Sequence, residues 1–433
     1  MSENEKRLLV PRLRFPEFRD AKPWTFQPLG KLARRSTRKN SNSEITRVLT
    51  NSAEYGVIDQ RDYFDKDIAN QGNLEGYCVV EEGSYVYNPR ISATAPVGPI
   101  SKNRTGLGVM SPLYTVFQFN NCKDDFYAHY FKSMHWHQYM RRASSTGARH
   151  DRMSITNDDF MRLPLPVSSP EEQQKITDCL SSLDQLIMAE LRKLDALKSH
   201  KNGLLQQIFP GEGETLPKLR FPEFRDAGEW ELIRMGTLLA RNPEYGLNAP
   251  AVPYSDNLPT YLRITDIDDD GRFLYESKVS VDVVVANDNY LELGDIVLAR
   301  TGASVGKSYR YREEDGKLVF AGFLIRVRPV ANKVNPVFLS SFLATQRYWD
   351  WVRVTSTRSG QPGINGAEYA SLLIPMPPST SSDFGMAEQT IIAEFLSSID
   401  ELITAQGKKI ELLKMHKTGL MQQLFPVLDE ASA

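Results

Sequence analysis

The sequence contains an internal repeat, and this repeat constrains the fold more strongly than any other feature. Three pairs of segments match: 11–20 (PRLRFPEFRD) with 217–226 (PKLRFPEFRD), 180–187 (LSSLDQLI) with 396–403 (LSSIDELI), and 197–210 (LKSHKNGLLQQIFP) with 413–426 (LKMHKTGLMQQLFP). Between these segments only a faint similarity remains, where 155–166 aligns with 364–375. Each half of the chain therefore consists of a divergent domain followed by a well-matched segment, in the same order.

The matched segments have the apolar spacing of long helices. Their apolar residues mostly recur three and four positions apart, in two series: Ile176, Leu180, Leu183, Ile187, Leu194, Leu197, Leu204 and Ile208; then Ile392, Leu396, Ile399, Ile403, Ile410, Leu413, Leu420 and Leu424. Glu190 and Lys201 interrupt the first seam, and Gln406 and Lys417 interrupt the second at equivalent positions. Because polar seam residues help to fix register and partner, two helices that pair with each other are expected. The alternative is two amphipathic helices, each packed on its own domain.

The divergent domains have a different sequence pattern, with short segments typical of strands and helices. Runs rich in β-branched and aromatic residues predict strands at 83–88, 113–119, 294–300 and 318–329. Helical spacing of aromatic and aliphatic residues predicts one helix over 126–142 and another over 337–353. The predicted fold class is therefore α+β, with the boundaries 11–167 for the first divergent domain, 168–212 for the first long helix, 217–378 for the second domain and 385–426 for the second long helix.

Length and composition limit the compartment and the class of protein. A chain of 433 residues is longer than one hydrophobic core usually serves, so two or more domains are expected. The three cysteines, Cys78, Cys122 and Cys179, lack the spacing of a zinc site and are odd in number, which favours a reducing cytosol. The charged N-terminus has no signal-peptide pattern, and no run of 18 apolar residues exists, so a soluble cytoplasmic protein is expected.

Three short motifs resemble functional signatures but lack essential parts. GASVGKS at 302–308 has three residues between its glycines where a phosphate-binding loop needs four, and a strand and turn are predicted after it. DIDDDG at 266–271 resembles the start of a calcium loop, but Ser277 occupies the place of the bidentate glutamate, so a hairpin turn is predicted. Asn88-Pro89 is followed by Arg90 where an amino-methyltransferase motif has a second proline. Catalysis by this chain alone is therefore not predicted.

The organisation of residues 11–426 resembles the specificity subunits of type I restriction-modification systems. The pieces that carry the resemblance are the helix starts EEQQKI...LSSLDQLI and AEQTII...LSSIDELI, the helix ends GLLQQIFP and GLMQQLFP, the repeated RFPEFRD, and GDIVLARTGASVGK. The resemblance implies two target-recognition domains, each reading one half of a split and asymmetric DNA site. It also implies that the two long helices pair as an antiparallel coiled coil, which relates the two halves by a pseudo-twofold axis.

The resemblance implies partners as well as a fold. In this family, two modification subunits use S-adenosylmethionine to methylate adenine, and two restriction subunits hydrolyse ATP with Mg²⁺ and cleave DNA. This chain would carry no cofactor, no metal and no catalytic residue. The RFPEFRD motifs and the helix ends are candidate docking surfaces for the modification subunits. For Phe15, Phe18, Phe221 and Phe224, packing of each domain against its helix is the alternative.

The formal net charge of −2 does not itself indicate a DNA-binding protein, so the distribution of basic residues matters more. Arginines and amides can read base edges, whereas lysines more often contact phosphates. The loops 145–154 and 356–365 occupy corresponding places and follow basic helix ends. The candidate DNA contacts are, in order, Arg149, Arg152, Arg358, Gln361 and Asn365; then Arg90, Arg141, Arg142, Arg300 and Lys307; then Arg34, Arg35 and Arg38. For each of them a solvated structural role is the alternative.

Two other functions compete with this interpretation. A coiled-coil scaffold that assembles proteins without DNA would explain the paired helices and the acidic pI, but not the matching arginine loops. A stand-alone nuclease or methyltransferase would need motifs that the sequence lacks. Salt-sensitive DNA binding would argue against the scaffold, and a lack of methylation without partners would argue against the enzyme.

Overall fold

The computed structural model describes residues 9–63, 74–121, 124–144, 151–357, 362–379 and 385–427. The chain divides into two compact units, one formed by Met1–Glu190 with Lys409–Ala433 and the other by Leu191–Lys408. Both long helices contribute to each unit. Among the described helices, none is both long enough and apolar enough to cross a membrane.

The first unit combines short strands with short helices. Its strands are β1 Thr25–Pro28, β2 Ala33–Arg35, β3 Leu49–Ser52, β4 Gly56–Asp59, β5 Cys78–Val80, β6 Tyr85–Tyr87, β7 Ile100–Lys102, β8 Gly108–Met110, β9 Thr115–Phe119 and β10 Pro164–Val167. Its helices are α1 Leu29–Leu32, α2 Gln60–Tyr63, α3 Asp125–Tyr130, α4 His137–Ala143, α5 Asn157–Met161 and the first half of α6 Pro170–Ile208. A four-stranded sheet has the order β2-β9-β6-β7, and β1 pairs with β10, β3 with β4, and β5 with β8. The main core is aromatic, built around Tyr85, Phe117, Phe126, Tyr130 and Phe160.

The second unit repeats this plan. Its strands are β11 Glu231–Arg234, β12 Glu244–Tyr245, β13 Ala251–Pro253, β14 Thr260–Leu262, β15 Val279–Val281, β16 Ile296–Ala299, β17 Ser308–Arg310, β18 Leu318–Phe320, β19 Leu324–Val327 and β20 Leu373–Met376. Its helices are α7 Pro336–Phe342, α8 Gln346–Ser356, α9 Gly366–Ser371 and the first part of α10 Met386–Leu424. Two four-stranded sheets have the orders β12-β19-β16-β17 and β13-β15-β14-β18, and β11 pairs antiparallel with β20 as β1 does with β10. The two units therefore share a sheet plan and one closing strand pair.

Most of the apolar seam of the long helices is buried, whereas Leu183, Leu194, Leu197, Leu413 and Leu420 are half-buried. In the first unit, Ile176 and Leu180 of α6 join the core together with Leu424 of α10. In the second unit, Leu204 and Ile208 of α6 join the core with the start of the α10 seam, which includes Ile392, Leu396, Ile399 and Ile403. Residues near the start of α6 thus share a core with the end of α10, and the reverse holds in the second unit, so the packing is antiparallel in each. Supercoiling of the helices stays a prediction.

Three of the four polar seam residues, Glu190, Lys201 and Lys417, have ionic partners on the opposite helix. In the first unit Lys417 pairs with Asp184, and Lys409 Nζ lies 2.5 Å from Glu190 Oε1. In the second unit Lys201 Nζ lies 2.7 Å from Asp400 Oδ1. Lys201–Asp400 is the internal repeat of Lys417–Asp184, because both residues are displaced by 216 positions. Ion pairs of this kind specify the antiparallel register, since a shifted register would leave half-buried charges without partners.

The repeated RFPEFRD motif is fastened to the start of a long helix by a buried ion pair. Arg14 binds Glu172 through two nearly parallel hydrogen bonds of 2.7 and 2.8 Å, and the two side chains are 6% and 2% exposed. Arg220 and Glu388 repeat the arrangement at 2.8 Å for both bonds. Phe15 packs against the core of the first unit, and Phe221 against that of the second. Packing of domain on helix is therefore the role of the arginine and first phenylalanine of each motif.

The structure corrects the two predicted single helices. The segment 126–142 forms α3 and α4 with a break between them, and 337–353 forms α7 and α8. In the first break, Trp136 is buried and its Nε1 donates to the carbonyl oxygen of Phe131 at 3.1 Å. In the second, Thr345 caps α8 by accepting from Tyr348 N. In a continuous helix, Trp136 and Thr345 would not make these hydrogen bonds. Tertiary contacts therefore override the helical pattern of the sequence.

The two motif predictions for the second domain are confirmed. Residues 302–308 form a turn between β16 and β17, and strand β17 follows it. Gly306 has a φ of +88°, a conformation that suits glycine. Residues 266–271 form a hairpin-like turn, where Ile267 and Phe273 pair antiparallel and Asp268 N donates to Arg272 O at 2.9 Å.

Candidate nucleic-acid interface

In the first unit, two of the predicted arginines meet at the base of the divergent loop 145–150. Three backbone contacts hold the chain where it leaves this loop: Ile91 N–Asp151 O at 3.1 Å, Met153 N–Pro89 O at 2.8 Å, and an antiparallel bridge between Arg90 and Arg152. The Arg152 side chain also reaches the neighbouring Asp151 at 3.2 Å. Arg90 is exposed. The structure thus brings Arg90 and Arg152, separated by 62 positions in the sequence, onto one site.

The second unit builds the same base for its divergent loop. The corresponding contacts are Gly302 N–Pro362 O at 3.1 Å, Ile364 N–Arg300 O at 2.8 Å, and an antiparallel bridge between Thr301 and Gly363. Each of them is displaced by 211 positions from its counterpart in the first unit. The same backbone arrangement therefore follows two segments of unlike sequence, 145–150 and 358–361.

The basic end of α4 borders the first loop. Arg141 and Arg142 lie in its last turn, where cations interact favourably with the helix dipole, and both are exposed. The residue after this helix, Ser144, accepts a hydrogen bond through its Oγ from Ser154 N at 3.1 Å. This bond joins the residues on either side of segment 145–150. Arg141 and Arg142 therefore precede this segment, and Arg152 follows it.

Arg300 and Tyr245 form a pair at the base of the second loop. The guanidinium of Arg300 lies 4.9 Å from the centre of the Tyr245 ring, a cation–π distance. The Tyr245 hydroxyl accepts from Gly366 N at 3.1 Å, and its ring is half exposed. Arg300 Nε is buried and has no hydrogen-bond partner among the described residues. Sequence reasoning missed Tyr245, because its only signal is an aromatic residue before a glycine, 55 positions from Arg300.

Asn365 has a structural task at the same place. Its side-chain oxygen accepts from Glu368 N at 2.9 Å, and its own backbone N donates to Glu368 Oε2 at 2.7 Å, which makes a capping box for α9. Thr156 caps α5 in the first unit in the same way, by accepting from Asp159 N at 3.1 Å. Asn365 therefore fixes the end of the second loop against a helix start.

The remaining predicted residues lie elsewhere in their units. Arg34 and Arg35 are exposed on β2, an edge strand of the four-stranded sheet, and Arg38 pairs with Glu81 at 2.7 Å on the surface. Lys307 Nζ binds Asp269 Oδ1 at 2.8 Å and lines a cavity of the second unit. Arg149, Arg358 and Gln361 lie outside the described residues. Over the described ranges, no group of three or more His, Cys, Asp or Glu side chains is placed to hold a metal ion.

The geometry defines a class of protein before any comparison is made. Two units of one design each mount a divergent, arginine-flanked loop on a shared backbone frame and pack on parts of two long helices. The chain is thus an internally duplicated protein whose two units differ in sequence at corresponding segments.

Comparison with known proteins identifies the family. The family model described as type I restriction modification DNA specificity domain matches residues 53–199 and 205–415. The chain therefore belongs to the type I restriction-modification DNA specificity family, whose specificity subunits are non-catalytic. The resemblance inferred from the repeated segments is confirmed.

Relatives and solved structures agree with this assignment. The chain is 23% identical over 336 residues to the type I restriction enzyme MjaVIII specificity subunit of Methanocaldococcus jannaschii, covering 76% of this chain and 75% of that one. It is 31% identical over 138 residues to the putative MjaX specificity subunit of the same organism, covering 31% of each.

Two solved structures share the fold. One, from a study of complex assembly and conformational transition of the type I R-M system, has a TM-score of 0.55 at 15% identity, covering 93% of this chain and 97% of that chain. The other is the type I restriction-modification S subunit from M. genitalium, with a TM-score of 0.51 at 13% identity, covering 97% of this chain and all of that one. At these identities the likeness concerns the fold alone.

Proposed function

We propose that this chain reads a bipartite, asymmetric DNA site and directs adenine methylation and restriction by partner subunits. One half-site is read by the recognition domain at 11–167 and the other by the domain at 217–378, while the helices at 168–212 and 385–426 act as the spacer. The observation that carries the proposal is the loop base repeated at an offset of 211 residues. A shared frame under two dissimilar loops is expected of two readers whose targets differ.

The DNA contacts are proposed in order of their position relative to these loops. Arg90, Arg152, Arg141 and Arg142 of the first unit surround one loop, and Arg300 with Tyr245 lies at the base of the other. Arg149, Arg358 and Gln361 belong to the loops themselves. Arginines in this position suit bidentate binding of guanine edges, and Tyr245 holds the Arg300 guanidinium in place. Asn365 and Lys307 contribute by positioning or by phosphate contact, and Arg34, Arg35 and Arg38 by long-range attraction to the DNA backbone.

The proposed assembly contains two modification subunits and two restriction subunits, as the pseudo-twofold repeat of this chain favours. S-adenosylmethionine and ATP with Mg²⁺ belong to those partners, and the complex works in the cytoplasm. Exposed members of each RFPEFRD motif, such as Arg19, form the proposed docking surface, because the buried ion pair uses only the arginine at the motif's start.

A domain exchange tests the proposal. Residues 24–167 are replaced by the same segment of another family member, and the chimera is expressed with its methylase partner in a host without adenine methylation. Long-read sequencing then maps the methylated adenines. One half of the recognised site should change and the other should persist, because the second unit is untouched. Alteration of both halves would contradict the assignment of one domain to each half-site.

A further inference from the structure

A polar cavity of about 560 Å³ lies entirely within the second unit. Its walls are the end of α6, the turn 269–272, strand β17 with the residues after it, helix α7 and the middle of α10. The volume falls in the range of small-molecule sites, yet the lining is dominated by charge instead of apolar side chains. Neither the recognition loops nor the family assignment accounts for it.

The cavity carries more positive charge than its own carboxylates can neutralise. Three lysines have partners: Lys198 with Asp270 at 2.5 Å, Lys201 with Asp400 at 2.7 Å, and Lys307 with Asp269 at 2.8 Å. Three arginines also line the cavity: Arg272, Arg310 and Arg312. Among the described residues, no carboxylate lies within ion-pair distance of any of the three. Among the described residues, the Arg272 guanidinium makes only a 3.5 Å bond to the Asp400 carbonyl oxygen.

Arg310 and Arg312 are placed unfavourably unless something anionic joins them. They are alternate residues of one extended segment, so their side chains leave the same face, and both are only partly exposed. Burial, together with the neighbouring charge of Arg312, lowers the pKa of Arg310. Guanidinium groups stay charged in proteins, so Arg310 and Arg312 repel each other.

The first unit has a larger side chain at one position that lines this cavity in the second. His129 is the fifth residue of α3, and Ser340 is the fifth residue of α7. The two positions are 211 residues apart, which is the offset that relates the two units elsewhere. His129 fills the space beside the Lys417–Asp184 pair, with its Nδ1 3.9 Å from Asp184 Oδ2. Ser340 is much smaller and lines the cavity beside the equivalent Lys201–Asp400 pair. The smaller side chain leaves more room next to the repeated ion pair, and Arg310 of β17 lines the same cavity.

We propose that this cavity binds a phosphate group, either of a free polyphosphate or of a DNA backbone, with Arg310 and Arg312 as its principal ligands. The three lysines add to the positive electrostatic potential of the cavity. The planar guanidinium groups can each donate two hydrogen bonds to the oxygens of a phosphate. Binding in a partly buried, low-dielectric site makes each contact stronger than on an open surface. Binding of a free polyphosphate does not depend on the proposed DNA-reading function.

Tripolyphosphate is the probe for the first test. The purified full chain is titrated with it, and the midpoint of thermal unfolding and the heat of binding are measured. A ligand that binds only the folded state raises the midpoint. Arg310→Gln and Arg312→Gln should each weaken binding at least tenfold. Ser341→Asp, which supplies an internal carboxylate, should abolish binding without removing either arginine. Arg234→Gln is the matched control, because Arg234 is an exposed arginine of the same unit outside the cavity, and it should bind as the unaltered chain does.

A second arm distinguishes the two phosphate sources. The complex with the methylase partner is titrated with duplex DNA at several salt concentrations. If a backbone phosphate occupies the cavity, tripolyphosphate competes with DNA, and Arg310→Gln reduces the salt slope by about one. If a free polyphosphate is the ligand, it binds without altering DNA affinity. Absence of tripolyphosphate binding, together with an unaltered salt slope in Arg310→Gln, would overturn the inference. Normal site-specific methylation in that case would leave the proposed function intact.

Discussion

Breaking the buried Arg14–Glu172 pair tests whether the RFPEFRD motif serves to pack the domain on its helix or to dock a partner. Arg14→Met keeps the length of the side chain but leaves the Glu172 carboxylate, 2% exposed, without its cation. Removing one partner of a buried pair costs about 3–5 kcal/mol, and the lower end applies because Glu172 keeps a hydrogen bond from Trp24 Nε1 at 3.1 Å. About 3 kcal/mol corresponds to an increase on the order of a hundredfold in the unfolding constant.

Urea unfolding combined with hydrogen exchange measures this cost and locates it. Exchange should accelerate at the motif and at the start of α6 in the first unit. The control is Glu17→Gln in the same motif, which breaks the surface pair with Lys175, where both side chains are about half exposed. A surface pair contributes about 0–1 kcal/mol, so this variant should unfold almost as the unaltered chain does.

Two further variants make the test decisive. Arg220→Met breaks the repeated pair with Glu388 and should give a similar loss that is confined to the second unit. The double variant Arg14→Met with Glu172→Leu removes both charges and should recover part of the stability, because no carboxylate is left buried. If Arg14→Met costs no more than Glu17→Gln, the reasoning from burial is refuted.

Three other predictions follow from single sites. Burial lowers the pKa of His129 to about 4, so as the pH falls below about 6.5 the unfolded chain binds a proton at this imidazole before the folded chain does. Stability should therefore decline between about pH 6.5 and 4, and the urea midpoints of His129→Gln should decline less steeply. The same slope in both proteins would contradict the lowered pKa of His129. Gly306→Ala should cost about 3 kcal/mol, because its Cβ would lie 2.7 Å from Val352 Cγ1 at a positive φ. Gly213→Ala, at a φ of +75° in a turn with open space around it, should cost about 1 kcal/mol in the same denaturation assay. Equal costs would refute the packing argument. Arg152→Ala should weaken site-specific DNA binding of the complex about tenfold, with exposed Arg162→Ala as the control, and equal affinities would remove Arg152 from the interface.

The repeat made much of the fold predictable. Most of the alternating apolar residues of the two matched segments are buried in the structure, and the strands expected at 83–88 and 113–119 are present as β6 and β9. Polar interruptions such as Lys201 and Lys417 signalled a specified register. Their partners were not predictable, because Asp184 and Asp400 are outside the seam and spacing along one helix does not identify a residue on another.

The site was less predictable than the fold. The contact between Arg90 and Arg152 depends on how strands fold back over about 60 residues, which no local pattern records. Tyr245 beside Arg300 was missed for the same reason. The arginines of the cavity were visible only as the alternation YRYR at 309–312, which reads equally well as a strand with one solvated face.

A map of methylated adenines tests the central claim most directly. The chain is co-expressed with its methylase partner in a host that lacks adenine methylation, and the genome is sequenced by a long-read method that detects the modified base. The account predicts a single split motif with two dissimilar halves, one for each recognition unit. Methylation at an uninterrupted or palindromic motif would contradict two different readers, and no methylation from a stable complex would contradict the DNA-reading role itself.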